Sequence, residues 1–342
     1  MEYRPLGRTG IAVSELGLGA MAFGAAGNPD HDASIQVVHR ALDAGINFVD
    51  TADIYSAGES EQIVGKALAG GRRDDVVLAT KVGLPFGEDP NHRGASRRWI
   101  TEAVEGSLRR LGTDWIDLYQ VHRLDPTVDV DETLGVLSDL VHQGKIRAFG
   151  ASTVPASEIV EAQWTAERHG RERFRTEQPP YSLLARQIET DVLPTCLRYG
   201  MGVVTYSPLA MGWLSGRYRK GSVDQAPTSD RSRLFPGRFD LTAEANQRKL
   251  DATEALANLA QEAGMTLIEL AIAFVLRHPA VTSAIIGPRT LGHLESQLPA
   301  ADIELPTDVL DRIDEIVPPG VTLADIDNRS FTPALSAAAR RR

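Results

Sequence analysis

Residues 16–30 read LGLGAMAFGAAGNPD. Within them Gly17–Ala22, GLGAMA, fits the G-x-G-x-x-G/A fingerprint. In a doubly wound sheet those glycines open a helix whose N-terminus holds a dinucleotide pyrophosphate. Whether a helix opens here decides the fold. The motif runs instead into FGAAGNPD, a loop composition, and helical periodicity starts only near Asp32. No acidic residue closes a second strand at the distance the fingerprint needs. The doubly wound reading is therefore set aside. The glycines are then expected to let backbone approach a ligand at the top of the first strand.

Outward from that point the chain keeps a rhythm. Short apolar or β-branched runs alternate with amphipathic segments of helical length. The runs are Leu16–Met21, Asn47–Asp50, Val76–Val82, Ile116–His122, Ile146–Ser152, Phe174–Gln178, Gly202–Ser207 and Ser283–Gly287. Helix-like stretches follow them, such as DASIQVVHRALDAG (Asp32–Gly45) and DETLGVLSDLVHQG (Asp131–Gly144). Gly45, Gly144, Gly170, Gly200 and Gly264 fall where helices would stop. Strands alternating with helices imply parallel βαβ units, and eight such units close into a (β/α)8 TIM barrel of the α/β class. MEYRPLGRTGIAVSE reads as an N-terminal β-hairpin plugging the barrel floor. Residues 243–264 and 266–278 read as two helices before the last strand, and 306–316 as an extra C-terminal helix. One barrel domain over residues 1–322 is expected, followed by a disordered tail at 323–342. Trp213–Leu241 is a long polar loop of the kind that usually carries function.

Composition bounds the partners. The 342 residues are 42 % hydrophobic and 24 % charged, with net charge −10. That balance is globular, and the acidity disfavours nucleic acid or an anionic membrane surface. Cys196 is the sole cysteine, so no internal disulfide can form. MEYRPLGRTG has no apolar signal core, and no apolar run approaches ~18 residues. A cytoplasmic protein without a membrane span is expected.

In such a barrel the active site lies at the C-terminal strand ends. Strand two ends in Asp50, with Tyr55 just beyond. Strand three ends in Lys81, and strand four in His122 on the face of Leu118 and Gln120. Taken singly, each has a plain structural explanation: a turn cap, a surface lysine, a core histidine. Together they bring a carboxylate, a phenol, an ammonium and an imidazole onto one ring, which is unfavourable unless they pair. They also answer one chemical need. A phenol titrates near ~10, and a neighbouring ammonium is expected to lower that value. A carboxylate holds the ammonium, and the imidazole orients a substrate oxygen. The set suits general acid catalysis on a carbonyl. His122 has no partner at metal-ligand spacing, so no metal site is expected.

With LGLGAM, FVDTADIYSAGESE, ATKVG, DLYQVHR, FGAST, EQPPYSLL, YSPLAMGWLSGRY and IIGPRTLGHLESQL in this order, the chain resembles the aldo-keto reductase superfamily over nearly its whole length. The style is that of bacterial and potassium-channel β-subunit members. The resemblance implies a catalytic tetrad at Asp50, Tyr55, Lys81 and His122, and NADPH laid across the barrel mouth. It places Gly19, Met21 and Asp50 beside the cofactor, Ser152 and Gln178 on the nicotinamide carboxamide, and Tyr206 under the ring. Ser207, Leu209 and Gly212 would cover the pyrophosphate. Gly287, Arg289, His293 and Gln297 would grip the adenosine end. Three departures from the family pattern are Thr153 in place of asparagine, His293 in place of glutamine, and Ser296-Gln297 in place of Glu-Asn. A guanidinium at Arg289 suits a ribose 2′-phosphate, which favours NADPH over NADH.

The expected activity is reversible reduction of a small aldehyde or ketone, with hydride from nicotinamide and a proton from Tyr55. Phe23, Phe86 and Trp213 are candidate substrate walls, together with Met21. Two rivals are a slow nucleotide-sensing subunit of the same fold and a lyase using Lys81 as a Schiff base. Asp50 beside Lys81 would keep the amine charged and oppose the second.

Overall fold

The protein is described by a computed structural model covering residues 1–220, 232 and 235–323. The expected tail lies outside the described residues from position 324 onward, as does most of 221–234 of the long loop.

Two short strands, β1 (Tyr3–Pro5) and β2 (Ala12–Ser14), form an antiparallel hairpin. Eight more follow: β3 (Leu16–Gly19), β4 (Phe48–Asp50), β5 (Val77–Val82), β6 (Ile116–Val121), β7 (Ile146–Ser152), β8 (Thr176–Gln178), β9 (Gly202–Tyr206) and β10 (Ser283–Ile286). They pair in parallel in sequence order, and β10 closes on β3. The fold is the (β/α)8 barrel that the sequence implies.

Around it run α1 (His31–Asp43), α2 (Glu59–Leu68), α3 (Arg97–Leu111), α4 (Val130–His142), α5 (Ala156–His169) and α6 (Val192–Tyr199). α7 (Glu244–Glu262) and α8 (Leu267–Arg277) precede the last strand, and α9 (Leu291–Glu295) and α10 (Thr307–Ile316) follow it. Local chemistry sets their limits. Asp30, Ser96 and Asp129 accept backbone N–H groups at the starts of α1, α3 and α4, and Thr266 with Glu269 forms a full capping box on α8. The five glycines expected to stop helices all take positive φ.

The strands sort their side chains by alternation. Phe48, Ala79, Leu118, Ala148, Val204 and Ile285 meet inside the barrel. Their neighbours Val49, Leu78, Tyr119, Phe149, Val203 and Ile286 pack outward under the helices. Leu6 and Val13 of the hairpin join the inner cluster, so the hairpin does plug the floor. The floor fit is tight. A Cβ on Gly7 would stand 2.5 Å from the Gly202 nitrogen.

The glycines of GLGAMA have a packing reason within the barrel itself. No helix follows them; the next begins at His31. A Cβ on Gly17 would lie 2.7 Å from the Phe48 ring, and one on Gly19 2.7 Å from Ile285. They make room inside the closed barrel.

Candidate active site

The inward phase that fills the floor with apolar side chains continues upward into polar ones. On β4 it places Phe48 and then Asp50. On β5 it gives Ala79 and Lys81, and on β6 Leu118, Gln120 and, one step past the strand, His122. Tyr55 follows β4 in a turn whose Ser56 and Ala57 hold left-handed φ of 48° and 54°. Non-glycine residues enter that region only when their surroundings hold them there. Here Ser56 Oγ donates to the Phe23 carbonyl at 3.0 Å, tying the turn to the loop after β3.

The four groups converge. Lys81 Nζ donates to Asp50 Oδ1 at 2.5 Å, to the Thr51 carbonyl at 2.8 Å and to Tyr55 Oη at 3.5 Å. The Tyr55 and His122 rings meet edge to face at 5.8 Å. Asp50, Lys81 and His122 are buried, and Tyr55 is half-buried. The other Asp50 oxygen accepts from Gln120 Nε2 at 3.1 Å and Gln178 Nε2 at 2.9 Å. The carboxylate is thus bonded on both oxygens, which is the condition for keeping a buried ion pair. Gln120 was visible in the sequence only as a neighbour of His122 in phase. Its bond to Asp50 is what makes it part of the site.

The electrostatics correct one expectation. The ammonium does pull the Tyr55 pKa down, but burial is the larger influence and the net shift is upward. Tyr55 is therefore a protonated phenol at neutral pH, ready to donate. Burial opposes the charge on Lys81, yet Asp50 and Tyr55 together outweigh it and raise its pKa. His122 is pushed well below the usual imidazole range by burial, then by Lys81 and Arg123, and is neutral. It can offer a hydrogen bond without adding charge.

A second group of residues surrounds this centre. Ser152 Oγ donates to the Gln178 carbonyl at 2.9 Å, and Thr153 Oγ1 lies 3.2 Å from Tyr206 Oη. Thr153, a β-branched residue, is held at φ 58°. After β9, Ser207, Ala210, Met211 and Gly212 all take positive φ, winding the backbone into a tight loop closed by Gly212 N donating to the Leu209 carbonyl. At the α9 end Gly287 is exposed with open space where a Cβ would sit. Arg289 and Arg217 act on His293, whose pKa falls through burial and then through those two charges. Arg217 after β9, Arg289 just before α9 and His293 on α9 are donors of a kind that suits a phosphate. Arg217 was not recognised in the sequence because its loop is distant from Arg289 in the chain. Gln297 is buried and donates through Nε2 to the His293 carbonyl at 2.9 Å. The hydroxyls and amides of Ser152, Thr153 and Gln178 and the charges of Arg289 and Arg217 have the chemistry that a nicotinamide dinucleotide would need.

Two of the expected substrate walls are packed away. Phe23 is 0 % exposed and Trp213 1 %. Trp213 stacks on Tyr218 and Phe239, receives Lys249 over its ring, and donates to the Arg238 carbonyl, so it has no surface to give a substrate. Phe86 is half-buried against Trp99 and Arg110, while Met21 is 41 % exposed. Among the described residues no cluster could hold a metal ion, and no single helix is long and apolar enough to cross a membrane.

Comparison with known proteins agrees with this geometry. The Aldo/keto reductase family profile matches residues 15–318. "Uncharacterized oxidoreductase YrpG" of Bacillus subtilis (strain 168) is 40 % identical over 329 residues, covering 93 % of this chain and 96 % of the relative. "Aldo-keto reductase YhdN" of the same organism is 38 % identical over 300 residues, covering 86 % and 87 %. A "Probable voltage-gated potassium channel subunit beta" of Oryza sativa subsp. japonica is 36 % identical over 327 residues, covering 93 % and 97 %. With the profile spanning its barrel, this chain belongs to the aldo/keto reductase family of NAD(P)H-dependent oxidoreductases.

Proposed function

We propose that the protein reduces an aldehyde or ketone to the alcohol with NADPH, reversibly and in the cytoplasm. The observation that carries this reading is Lys81 Nζ within reach of both Asp50 and Tyr55, beside a neutral His122. The cofactor, when bound, supplies hydride to the carbonyl carbon. The rest of the chemistry belongs to this chain. His122 orients the carbonyl oxygen by a hydrogen bond. Tyr55 Oη gives its proton to that oxygen as negative charge develops. Lys81 then faces a phenolate, and its charge stabilises the product side of the transfer more than the reactant side, which is what lowers the barrier. Asp50 keeps Lys81 charged and in place. In the oxidative direction Tyr55 acts as base. The basic group of Arg289, Arg217 and His293 supports a phosphorylated ribose, hence NADPH over NADH.

The relatives named as potassium-channel β subunits favour a second reading, a slow nucleotide-sensing subunit. One experiment separates the two. A panel of aldehydes, ketones and sugars is offered at fixed pH while NADPH absorbance is followed. Turnover on any of them supports the reductase. Tight NADPH binding with no turnover on the whole panel supports the sensor, and no binding of either nicotinamide contradicts both.

A further inference from the structure

Behind the proposed nicotinamide site stands a buried carboxyl group that the mechanism does not use. Glu177 lies on β8 next to Gln178, but in the opposite phase. Gln178 points inward to Asp50. Glu177 points outward, is fully buried, and accepts from the Val154 N–H at 2.9 Å through Oε1. Its Oε2 has no hydrogen-bond partner.

That one bond has leverage. The corner Ser152–Val154 carries the hydroxyl groups of Ser152 and Thr153, and β8 grips each of its residues. Ser152 Oγ and Thr153 N both donate to the Gln178 carbonyl, at 2.9 and 3.1 Å, and Val154 N donates to Glu177. The corner needs holding because Thr153 sits at φ 58°, a strained conformation for a β-branched residue. Thr153 in turn reaches Tyr206. From the other side Arg123 Nη1 donates to Ser152 Oγ at 3.3 Å and to the His122 carbonyl.

We infer that Glu177 is a positioning residue: by gripping the Ser152–Val154 corner it sets the affinity for the nicotinamide half of the cofactor and makes that affinity depend on pH. This role rests on the proposed placement of the nicotinamide beside Ser152. The groups that face the carboxyl are the Val154 and Thr153 amides of the corner, Arg123 beyond β6, Glu158 on α5 and Cys196 on α6. Burial dominates and raises its pKa to about 8, with Glu158 adding to the rise and the amides and Arg123 opposing it. Below that value the group is a neutral acid and Val154 has an ordinary acceptor. Above it the carboxylate makes a charge-assisted bond, and the corner tightens. Affinity for NADPH should therefore increase as pH passes through 8. His122 and His293, both with lowered values, are already neutral in that window.

The test is direct binding of two probes from about pH 6.5 to 9.5: NADPH, and adenosine 2′,5′-bisphosphate, which lacks the nicotinamide. In the wild type NADPH should tighten severalfold across the window while the bisphosphate does not share that step. Glu177→Gln keeps an acceptor for Val154 and cannot ionise, so the step should vanish. Glu177→Ala should weaken NADPH by roughly tenfold, about 1.4 kcal/mol, and leave the bisphosphate within about twofold. Persistence of the wild-type step in Glu177→Gln, or equal weakening of both probes in Glu177→Ala, would overturn the role of Glu177 alone. Failure of the wild type to bind NADPH or NADH would overturn the cofactor reading beneath it.

Discussion

The floor and the mouth of the barrel are built by the same strands in the same phase, and they are opposite in chemistry. Below, Phe48, Ala79, Leu118, Ala148, Val204 and Ile285 close around Leu6 and Val13. Two residues further along the same strands stand Asp50, Lys81 and Gln120, tied into one network. The floor is held by apolar contact, which tolerates changes in shape and resists loss of volume. The mouth is held by charges bonded in pairs, where removing one partner strands another. Stability and chemistry are thus separated by one strand step. Substitutions at the two levels should fail in different ways.

The largest effect is expected at the mouth. Lys81→Met removes the charge that faces Tyr55 and leaves Asp50 buried without its cation. We expect kcat to fall by about a thousandfold or more, roughly 4 kcal/mol of barrier, measured by steady-state carbonyl reduction at saturating cofactor. At the floor, Leu118→Ala should cost about 2–5 kcal/mol in stability by leaving a cavity. Denaturant unfolding reads this, and kcat of the folded fraction should stay within about twofold. A variant that lost activity and stability in proportion would dissolve the distinction.

A pH experiment sharpens it. Two buried carboxyl groups outside the tetrad have raised pKa values, Asp53 at about 7 and Glu177 at about 8, burial being the main cause in both. Neither Asp53 oxygen has a hydrogen-bond partner. Since folding raises these values, the stabilising balance is full below the ordinary carboxyl range. It is lost as pH rises from there through 7 and 8. Thermal unfolding should therefore show falling stability over that interval. Asp53→Asn should flatten part of the fall and recover about 1–3 kcal/mol at the alkaline end. A profile that rises with pH in wild type would contradict the burial argument. The smallest effect is expected at the far end of the proposed cofactor site. Arg217→Ala should raise KM for NADPH by about tenfold, or 1.4 kcal/mol, and leave KM for NADH nearly unchanged. Equal changes for both cofactors would remove Arg217 from the phosphate.

The outline of the site could be read in the sequence because each piece is local. Alternation along VVLATKV places Lys81 on one face, and the ends of NFVD and IDLYQVH supply Asp50 and His122. What escaped the reading depends on packing between distant segments. Trp213 looked like a pocket wall because it is an aromatic residue in the loop after the seventh barrel strand, but Lys249 of α7 and Phe239 enclose it. That Gly17 and Gly19 also make room for the inner residues Phe48 and Ile285 could not be read from the sequence, because those residues come from distant strands. The Tyr55 shift turned on the balance between burial and one ammonium, two influences of opposite sign that no spacing reveals. Glu177 reads as a neighbour of Gln178 and becomes distinct only once helices cover its face of β8.

In the proposed mechanism everything turns on Tyr55 delivering the proton. Single-turnover reduction by Tyr55→Phe, with cofactor binding measured on the same protein, tests it most directly. Near-normal NADPH affinity is expected, with the chemical step slowed by at least about a thousandfold. A chemical step at close to the wild-type rate would contradict it.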